Sequence, residues 1–518
     1  MQSSQILFES TNSFSPLFLD YINQKEKLKP FYQFTPSKEG IQHALVSRAF
    51  TKRPRKQLVE SLIQQYKEDR LSSATEKNIH ALSNETTYTV TTGHQLNLAT
   101  GPLYFIYKII TTIKLAEELS TPDTKVVPMY WMASEDHDFE EINHFSLFGQ
   151  QYEWNTDQKG PVGKFDLKGF DEVLSSLPEE IELLQSSYKK GKTLAQATRT
   201  LVNKIFGERG LIILDADDAI LKKELLPIVK NELKTQQSFH AIQETSNNLK
   251  TAGYSTQVNP REINLFYMSK GVRERIVVEN NKISVLNTEI KWTIEEAISF
   301  FTLYPEKISP NVVLRPLYQQ IILPNVAYIG GPGELAYWLQ LKGLFGSYSQ
   351  SLPVLFPRNF ALSIPTHIQK KTKKLELTNE DLFKKTYILK KQLVAKRQGD
   401  NKINLNEEQS ILLDGFDKLK KKITPLGNGL NKQVEAEQKR IQNWIEKLQK
   451  RIEKEEEGAF ENEIKALETI KEKLFPSGNL QERTDNFLNF HLNNPLFIDQ
   501  IYDQLDPFDF RMNILKND

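Results

Sequence analysis

The sequence predicts an α/β protein with a parallel-sheet core, followed by a long antiparallel α-helical coiled coil. Three short apolar runs, rich in β-branched and aromatic residues, alternate with helical segments at 88–92, 125–131 and 210–215. Two later runs, at 325–329 and 354–356, continue this pattern. Because strands that alternate with helices form right-handed βαβ units, we expect the first three strands to build a parallel sheet, and we predict the two later runs as a fourth and a fifth strand.

The coiled coil is indicated by a change of composition near residue 367, after which Lys, Glu, Gln and Leu dominate. Two series of apolar residues are spaced by three or four positions, as in a heptad seam. They are Leu412, Phe416, Leu419 and Ile423, then Ile441, Ile445, Leu448 and Ile452. Pro425 and Asn428-Gly429 separate the two series, so the helices should fold back on each other.

These boundaries predict three regions. Residues 1–366 form the catalytic core, with insertions near 149–193 and 219–308. Residues 367–475 form the antiparallel coiled-coil domain. Residues 476–518 are rich in Phe, Leu and Ile, and we expect this C-terminal segment to pack back on the core.

Composition excludes several classes of protein. Across 518 residues, 67 Lys and Arg balance 66 Asp and Glu, which gives no support to a nucleic-acid surface. The chain has no cysteine, so disulfides, thiolate metal sites and a cysteine nucleophile are absent. The N-terminus does not resemble a signal peptide, and no apolar run reaches the ~18 residues of a membrane span. We therefore expect a cytoplasmic protein without membrane or nucleic-acid partners.

The first candidate site lies where the strand at 88–92 gives way to a polar loop and then to a helix over 103–119. Gly93, His94 and Gln95 occupy this loop. Ligands of open α/β sheets bind at the carboxyl ends of the strands. The imidazole and the amide are therefore candidate donors to a phosphate or a carboxylate, although a loop histidine satisfied by its own backbone is the alternative.

The second candidate site is the acidic segment after the strand at 125–131. It holds Asp136, His137, Asp138, Glu141 and His144. If the segment is helical, His137, Glu141 and His144 share one face and could hold a divalent metal. The sequence lacks the H-E-x-x-H pattern of zinc enzymes, and a charged helix start is the favoured alternative. We predict no metal ligands, and the presence of a metal stays open.

The third candidate site is the glycine-rich turn Gly330-Gly331-Pro332-Gly333 that follows a predicted strand, with Glu334 opening the next helix. Glycine lets a ligand approach the backbone closely, which favours a binding site. The alternative is that the glycines only form a tight turn. Two other motifs are set aside. The Met268–Gly271 loop is interpreted as a hairpin turn, and the lysine run at 370–374 is interpreted as a solvated helix face.

Four segments together resemble the BshC family, the cysteine-adding enzymes of bacillithiol synthesis. They are TTGHQLNLATGPLYFIYKI at 91–109, PMYWMASEDHDFEEINH at 128–144, NVAYIGGPGELAYW at 325–338 and FPSGNLQER at 475–483. The resemblance spans nearly the whole chain. The family typically carries Gly-Gln-Gln at the first loop, and this chain departs from that pattern at His94.

The resemblance implies a Rossmann-like core related to nucleotidyl transferases and class I synthetases. It also implies a ligase that joins the carboxylate of L-cysteine to the amine of glucosaminyl-malate, with ATP or ADP as the nucleotide. A nucleotide site near the C-terminal segment is expected at Lys473, Ser477, Gly478 and Arg483. The adenylate and acyl-phosphate routes both stay open. The two heptad seams predict a homodimer through the coiled coil.

We expect the catalytic and substrate-binding residues to converge at the carboxyl edge of the sheet. Asp136 or Asp138 would recognise an ammonium group, and one of them or His137 would take the proton from the attacking amine. The expected substrate contacts are Gly93, His94, Gln95, Glu141, Tyr328, Gly330, Gly331 and Glu334. A nucleotide-binding scaffold or sensor without catalytic activity is the alternative, and it would not need these side chains to converge.

Overall fold

The computed structural model describes residues 1–398 and 403–516. Its strands are, in chain order, β1 (Gln2–Ile6), β2 (Thr87–His94), β3 (Lys125–Met132), β4 (His144–Leu147), β5 (Gln150–Glu153), β6 (Ile212–Asp215), β7 (Leu265–Ser269), β8 (Val272–Glu279), β9 (Lys282–Val285), β10 (Lys291–Trp292), β11 (Ile308–Pro310), β12 (Asn325–Gly330), β13 (Val354–Pro357), β14 (Phe360–Ile364) and β15 (Met512–Lys516).

The α-helices up to the end of the glycine-rich region are α1 (Phe8–Thr11), α2 (Pro16–Ile22), α3 (Lys38–Ser47), α4 (Lys52–Gln65), α5 (Ser73–Ala81), α6 (Tyr104–Leu119), α7 (Phe170–Ser175), α8 (Glu182–Gln185), α9 (Leu194–Phe206), α10 (Ala219–Lys222), α11 (Leu226–Thr235), α12 (Gln237–Thr251), α13 (Ile294–Leu303), α14 (Arg315–Ile322), α15 (Pro332–Leu339) and α16 (Lys342–Ser347). The remaining helices are α17 (Thr366–Lys374), α18 (Thr386–Gln398), α19 (Asn406–Ile423), α20 (Asn428–Gly458), α21 (Glu461–Leu474), α22 (Leu488–His491) and α23 (Phe497–Gln504).

The central sheet has the strand order β13-β12-β2-β3-β6, and every neighbouring pair is parallel. The predicted Rossmann-like parallel sheet is therefore confirmed, and all five predicted strands belong to it. The register pairs His94 with Met132 and Met132 with Asp215. The carboxyl ends of β2, β3 and β6 consequently lie side by side at one edge of the sheet, where the loops of the predicted site begin.

The core around this sheet consists of apolar side chains, as expected for strands that are buried on both faces. Val90, Val126, Ile329 and Phe356, from four neighbouring strands, form one buried cluster with Leu115 and Ala116 of α6. Helix α6 is amphipathic only weakly, since it is buried along most of its length. Strand β2 and helix α6 are thus fixed against each other by burial, and the loop between them is held at both ends.

The predicted insertion at 219–308 supplies a second sheet, antiparallel and of strand order β10-β9-β8-β7-β11. The predicted hairpin is confirmed as β7 and β8, with Lys270 and Gly271 between them. Gly271 has a φ of 72°, the left-handed conformation that glycine adopts without strain. Strand β8 carries Arg273 and Arg275 two residues apart, so both side chains leave the same face of this sheet.

The chain divides into two compact units. The first comprises residues 1–363 and 479–515, and the second comprises residues 364–478 together with Lys516. Within the first unit, the segment after residue 479 contacts the core directly. The Asn486 side chain donates hydrogen bonds of 2.8 and 2.7 Å to the backbone carbonyls of Ala99 and Gly101.

The second unit is helical, as the heptad pattern predicts. Helices α19 and α20 pack against each other, and a short turn that contains Pro425 joins them. A connection this short makes neighbouring helices antiparallel. Ile445 of the second seam is buried, whereas Leu412 and Leu419 of the first stay 43% and 44% exposed. Residues 399–402 and 517–518, which fall within the predicted coiled-coil and C-terminal regions, lie outside the described residues.

Candidate functional site

A cavity of about 1050 Å³ lies at the carboxyl edge of the central sheet. Its walls come from the loops after β2, β3 and β12 and from strands β7 and β8 of the antiparallel sheet. Nine of the residues predicted from the sequence line it: Gly93, His94, Gln95, Asp136, His137, Glu141, Tyr328, Gly331 and Glu334. Arg483, predicted for the nucleotide, lines it as well. Residues from three separate segments thus meet in one site.

Five predicted residues are not part of this cavity. Asp138 is exposed and lines a different cleft, of about 690 Å³, next to His144. Gly330 is the last residue of β12, and a Cβ there would lie 2.9 Å from the Leu335 side chain. Close packing against α15 therefore accounts for that glycine. Lys473, Ser477 and Gly478 belong to the second unit, whereas Arg483 belongs to the first.

The segment after β3 differs from the prediction. Residues 133–143 form no helix, and His144 is the first residue of β4. The proposed shared helix face of His137, Glu141 and His144 is therefore wrong. The Asp136 carboxylate accepts a hydrogen bond of 2.8 Å from the His137 backbone N–H, and such local side-chain bonds compete with helix formation. No group of three or more His, Asp or Glu side chains within residues 1–398 and 403–516 is arranged to hold a metal ion.

Gln95 joins the loop after β2 to the loop after β3. Its side-chain nitrogen donates to Asp136 Oδ2 at 3.1 Å and to Glu141 Oε2 at 2.8 Å. Both amide hydrogens are therefore engaged within the protein. To donate a hydrogen bond to substrate, as predicted, Gln95 would have to give up one of these two bonds. In this structure its amide positions the carboxylates of Asp136 and Glu141.

His94 is half-buried in the cavity wall and packs against the rings of Tyr104 and Phe105, with centroids 5.4 and 5.0 Å away. Its Nε2 atom has no hydrogen-bond partner among the described residues. Burial and the neighbouring Lys108 ammonium lower the pKa of His94 to about 3. The imidazole is therefore neutral near pH 7, and it can offer a hydrogen bond but no positive charge.

Glu334, at the start of α15, is tied through Lys108 of α6 to the end of β2. Its carboxylate accepts hydrogen bonds from the Lys108 ammonium at 2.8 and 3.0 Å, from the Tyr328 hydroxyl at 2.7 Å and from the Gly331 N–H at 2.9 Å. Lys108 also donates to the Gly93 carbonyl at 2.5 Å. Burial opposes ionisation, but the Lys108 charge and these bonds hold the pKa of Glu334 below its ordinary value.

This arrangement changes the role expected for the glycine-rich turn. Gly331 is an expected substrate contact, but its N–H already donates to Glu334 in a capping arrangement at the start of α15. That helix begins at Pro332, two residues earlier than predicted. Glu334 and Gly331 therefore shape the wall of the cavity, and their polar atoms are satisfied without a ligand.

Asp136 and His137 are tied to Arg273, which the sequence did not indicate. Arg273 Nη1 lies 2.6 Å from His137 Nδ1 and 3.8 Å from Asp136 Oδ1. A guanidinium only donates hydrogen bonds, so His137 Nδ1 accepts and the proton of the neutral ring is on Nε2. Although burial opposes ionisation, the hydrogen bond from Gln95, the Arg273 charge and the hydrogen bond from the His137 backbone N–H hold the pKa of Asp136 well below its ordinary range. The Asp136 carboxylate is therefore not arranged as a strong proton acceptor, and the Nδ1 atom of His137 is already engaged by Arg273.

Sequence reasoning also missed most of the positive charge. The cavity is lined by seven cationic side chains: Lys108, Arg261, Arg273, Arg275, Arg315, Arg358 and Arg483. It is lined by four carboxylates: Glu135, Asp136, Glu141 and Glu334. The alternation of Arg273 and Arg275 just after the predicted hairpin turn is the one signal that was available. The excess of cations suits ligands that carry several negative charges.

The cations fall into paired and unpaired groups. Lys108 pairs with Glu334, and Arg358 makes two hydrogen bonds to the buried Glu482 carboxylate, of 3.0 and 2.5 Å. Arg315 donates to Gln319 and Tyr337. Within the described part of the chain, no hydrogen bond or ion pair engages the guanidinium groups of Arg261, Arg275 and Arg483. These three are the cations with full capacity for a ligand.

Comparison with known proteins places this architecture in a family. The model of the N-terminal Rossmann-like domain of the bacillithiol biosynthesis protein BshC matches residues 1–359. The model of its C-terminal coiled-coil domain matches residues 361–517. The chain belongs to the BshC family. The two BshC domains correspond to the parallel-sheet core and to the helical region that follows it, which confirms the family resemblance of the sequence motifs.

Curated BshC relatives extend over the same length. A protein of Cytophaga hutchinsonii is 40% identical over 512 residues, which cover 98% of each chain. A protein of Flavobacterium psychrophilum is 40% identical over 533 residues and covers both chains in full. A protein of Bacillus cytotoxicus is 28% identical over 494 residues, or 90% of this chain and 91% of the relative. All three carry the name cysteine ligase BshC.

Proposed function

We propose that this BshC-family chain is a ligase that joins the carboxylate of L-cysteine to the amine of glucosaminyl-malate. The observation that carries the proposal is the large cavity at the carboxyl edge of the sheet, where cations and carboxylates converge. Glucosaminyl-malate offers two carboxylates and one amine, and cysteine offers one of each. A scaffold protein would not require this convergence of charged side chains.

The chemistry requires an activated carboxylate, because an amide does not form from a free carboxylate and an amine near pH 7. A nucleoside triphosphate supplies that activation when it is bound, by accepting a carboxylate oxygen into its phosphate product. The unpaired guanidinium groups of Arg261, Arg275 and Arg483 fit phosphate oxygens, which they can bind in bidentate geometry. The site expected at Lys473, Ser477 and Gly478 stays a second prediction for the nucleotide.

The residues of the cavity take distinct roles in this proposal. His137 presents Nε2–H to a carboxylate or phosphoryl oxygen, with its ring held by Arg273. Gln95 and Glu334 hold the surrounding loops in place through their hydrogen bonds.

Antiparallel helices with exposed apolar side chains at Leu412, Leu419 and Trp444 favour a homodimer through the coiled coil. A cytoplasmic location fits an enzyme whose substrate and product are thiols. No helix in the described part of the chain has the length and apolar character of a membrane span.

Nucleotide turnover tests the proposal. With purified protein, hydrolysis of ATP should depend on cysteine and glucosaminyl-malate together, and the nucleotide product distinguishes the two routes. ADP indicates an acyl phosphate and AMP indicates an adenylate. An Arg275→Met variant should lower this turnover, whereas Arg209→Met, whose guanidinium pairs with Asp499 outside the cavity, should not. Nucleotide hydrolysis that is independent of both substrates would contradict the proposal.

A further inference from the structure

Glu135 is a cavity residue that belongs to the loop after β3. This loop is held by the segment around Gly163. The Gly163 N–H donates to the Ser134 carbonyl at 2.8 Å, and the Val162 N–H donates to the Asp136 carbonyl at 2.7 Å. A Cβ at Gly163 would lie 2.6 Å from Ser134 Cβ, so the two segments are in close contact. The position of the Glu135 side chain at the cavity wall is therefore fixed.

The Glu135 carboxylate is buried, and Lys222 is its one direct polar partner in the part of the chain that the structure describes. Its side chain is 12% exposed, and Oε1 lies 2.6 Å from the Lys222 ammonium. Lys222 is fully buried and also lies 2.5 Å from Asp217 Oδ1. The positive charge of Lys222 is thus shared between two carboxylates, and Asp217 has a second partner in Lys164 at 2.8 Å. Arg273 acts on Glu135 only from a longer distance.

The remaining hydrogen-bond capacity of Glu135 faces the cavity. An ionised carboxylate has about four acceptor positions, and within the described residues Lys222 is the only direct polar contact of Glu135. Oε1 is buried against Lys222, so Oε2 is the oxygen left for a ligand of the cavity that Glu135 lines. Burial raises the pKa of the Glu135 carboxyl, and the Lys222 charge opposes that rise. A second cation at Oε2 would stabilise the ionised form.

The other carboxylates of the cavity are less suited to a cationic ligand. Asp136 accepts hydrogen bonds from Gln95 and from the His137 N–H. Glu334 is saturated by Lys108, Tyr328 and Gly331. Glu141 has one free oxygen but is exposed, where water screens its charge. Glu135 combines burial with unused capacity, which makes an electrostatic contact strong.

We propose that Glu135 is the ammonium-binding residue of the cavity, and that its Oε2 binds the primary amine of a substrate. This inference rests on the proposed function, since both proposed substrates carry one primary amine. The ligand chemistry is the same for the two sources, an alkylammonium group on a molecule that also carries carboxylates. The cations elsewhere in the cavity would then meet the carboxylates of the same ligand.

Titration calorimetry with the full-length protein tests the inference. The ligands are L-cysteine and glucosaminyl-malate, each compared with the analogue in which the amine is missing, 3-mercaptopropionate and glucosyl-malate. Glu135→Gln should weaken the binding of at least one amine ligand by about tenfold or more, the usual loss for a hydrogen bond to a charged group. The analogue of that ligand should bind the variant and the wild type equally. The ligand that is affected identifies the source of the amine.

Glu140→Gln is the matched control, because Glu140 is an exposed carboxylate of the same loop outside the cavity and takes the same substitution. It should bind all four ligands like the wild type. If circular dichroism shows that Glu135→Gln does not fold, Glu135→Asp replaces it, and the shorter carboxylate should weaken only the amine ligands. Equal binding of both amines by wild type and variant would overturn the inference. The inference would also be overturned if Glu135→Gln weakened the binding of an amine ligand and of its analogue equally. The same holds if the wild type bound each amine ligand no more tightly than its analogue.

The outcome is separable from that of the proposed function. If the wild type forms no amide although Glu135→Gln selectively loses an amine ligand, the proposed function fails and the ammonium site stands. If the wild type forms the amide and Glu135→Gln binds both amines normally, the ammonium site fails alone.

Discussion

His137 Nδ1 lies 2.6 Å from Arg273 Nη1, so the guanidinium holds the imidazole with Nε2–H directed away from it. In this tautomer His137 is a hydrogen-bond donor to the cavity. Since the side-chain nitrogen of glutamine can replace Nε2–H, His137→Gln should retain turnover within about tenfold, whereas His137→Ala should lose about 10²-fold, as for other transition-state donors. Steady-state kinetics of the two variants, with folding checked by circular dichroism, measure the difference.

A role for His137 as general base gives a different result. Neither glutamine nor alanine accepts a proton, so both variants would then lose about 10²–10⁴-fold in rate. Equal inactivity of the two folded variants would contradict the donor assignment and restore the proton-accepting role that the sequence suggested.

The buried pair Lys108–Glu334 should matter for stability. Lys108 is 1% exposed, and its ammonium bridges Glu334 and the Gly93 carbonyl. Lys108→Met would leave the Glu334 carboxylate without its cation, and we expect a loss of about 3 kcal/mol in the free energy of unfolding. Urea denaturation measures this loss. In the double variant with Glu334→Gln, the uncompensated charge is gone, so the double variant should be more stable than Lys108→Met alone.

His94 should make stability depend on pH. Its pKa is lowered to about 3 in the folded chain, against 6.5 as the ordinary value. Between these values the unfolded chain binds a proton that the folded chain does not, so stability is lost as pH falls below about 6.5. The loss between pH 7 and pH 5 should be about 2 kcal/mol. His94→Gln should abolish this component of the pH dependence, whereas the same change at the exposed His43 should leave it intact.

The coiled coil should hold two copies of the chain together. Leu448 and Ile452, on the second heptad seam of α20, are half-buried within one chain. Replacing both with Asp should shift sedimentation velocity from dimer to monomer, because apolar seam positions do not tolerate charge. Lys447 and Lys450 are exposed on the same helix, and their replacement by Asp should preserve the dimer. A dimer that survives the Leu448 and Ile452 changes would indicate another interface.

The parts of the fold that the sequence predicted are those governed by local pattern. The strands at 88–92 and 325–329 are runs of apolar and β-branched residues, and they form the centre of the sheet. The helix proposed around His137 and Glu141 was wrong because the Asp136 side chain bonds the local backbone instead. The spacing of residues in a sequence does not show whether a side chain will bond to the local backbone in place of a helix. The helix was predicted from that spacing alone.

The site was only partly predictable for a related reason. Gly93, Asp136 and Glu334 each follow a predicted strand, and parallel strands bring such positions to one edge. Arg273 reaches the cavity from the antiparallel sheet, and Glu135 is held there by Lys222 of α10. Both depend on contacts between segments more than 80 residues apart in the chain. Periodicity within one segment carries no information on such contacts.

Formation of the amide is the most direct test of the account. Purified protein would be incubated with glucosaminyl-malate, L-cysteine and ATP, and bacillithiol would be detected by mass spectrometry, with omission of each component as a control. The account predicts a product of the mass of bacillithiol that requires all three small molecules and the protein. The absence of this product with a folded protein that binds the substrates would contradict the proposed ligase activity.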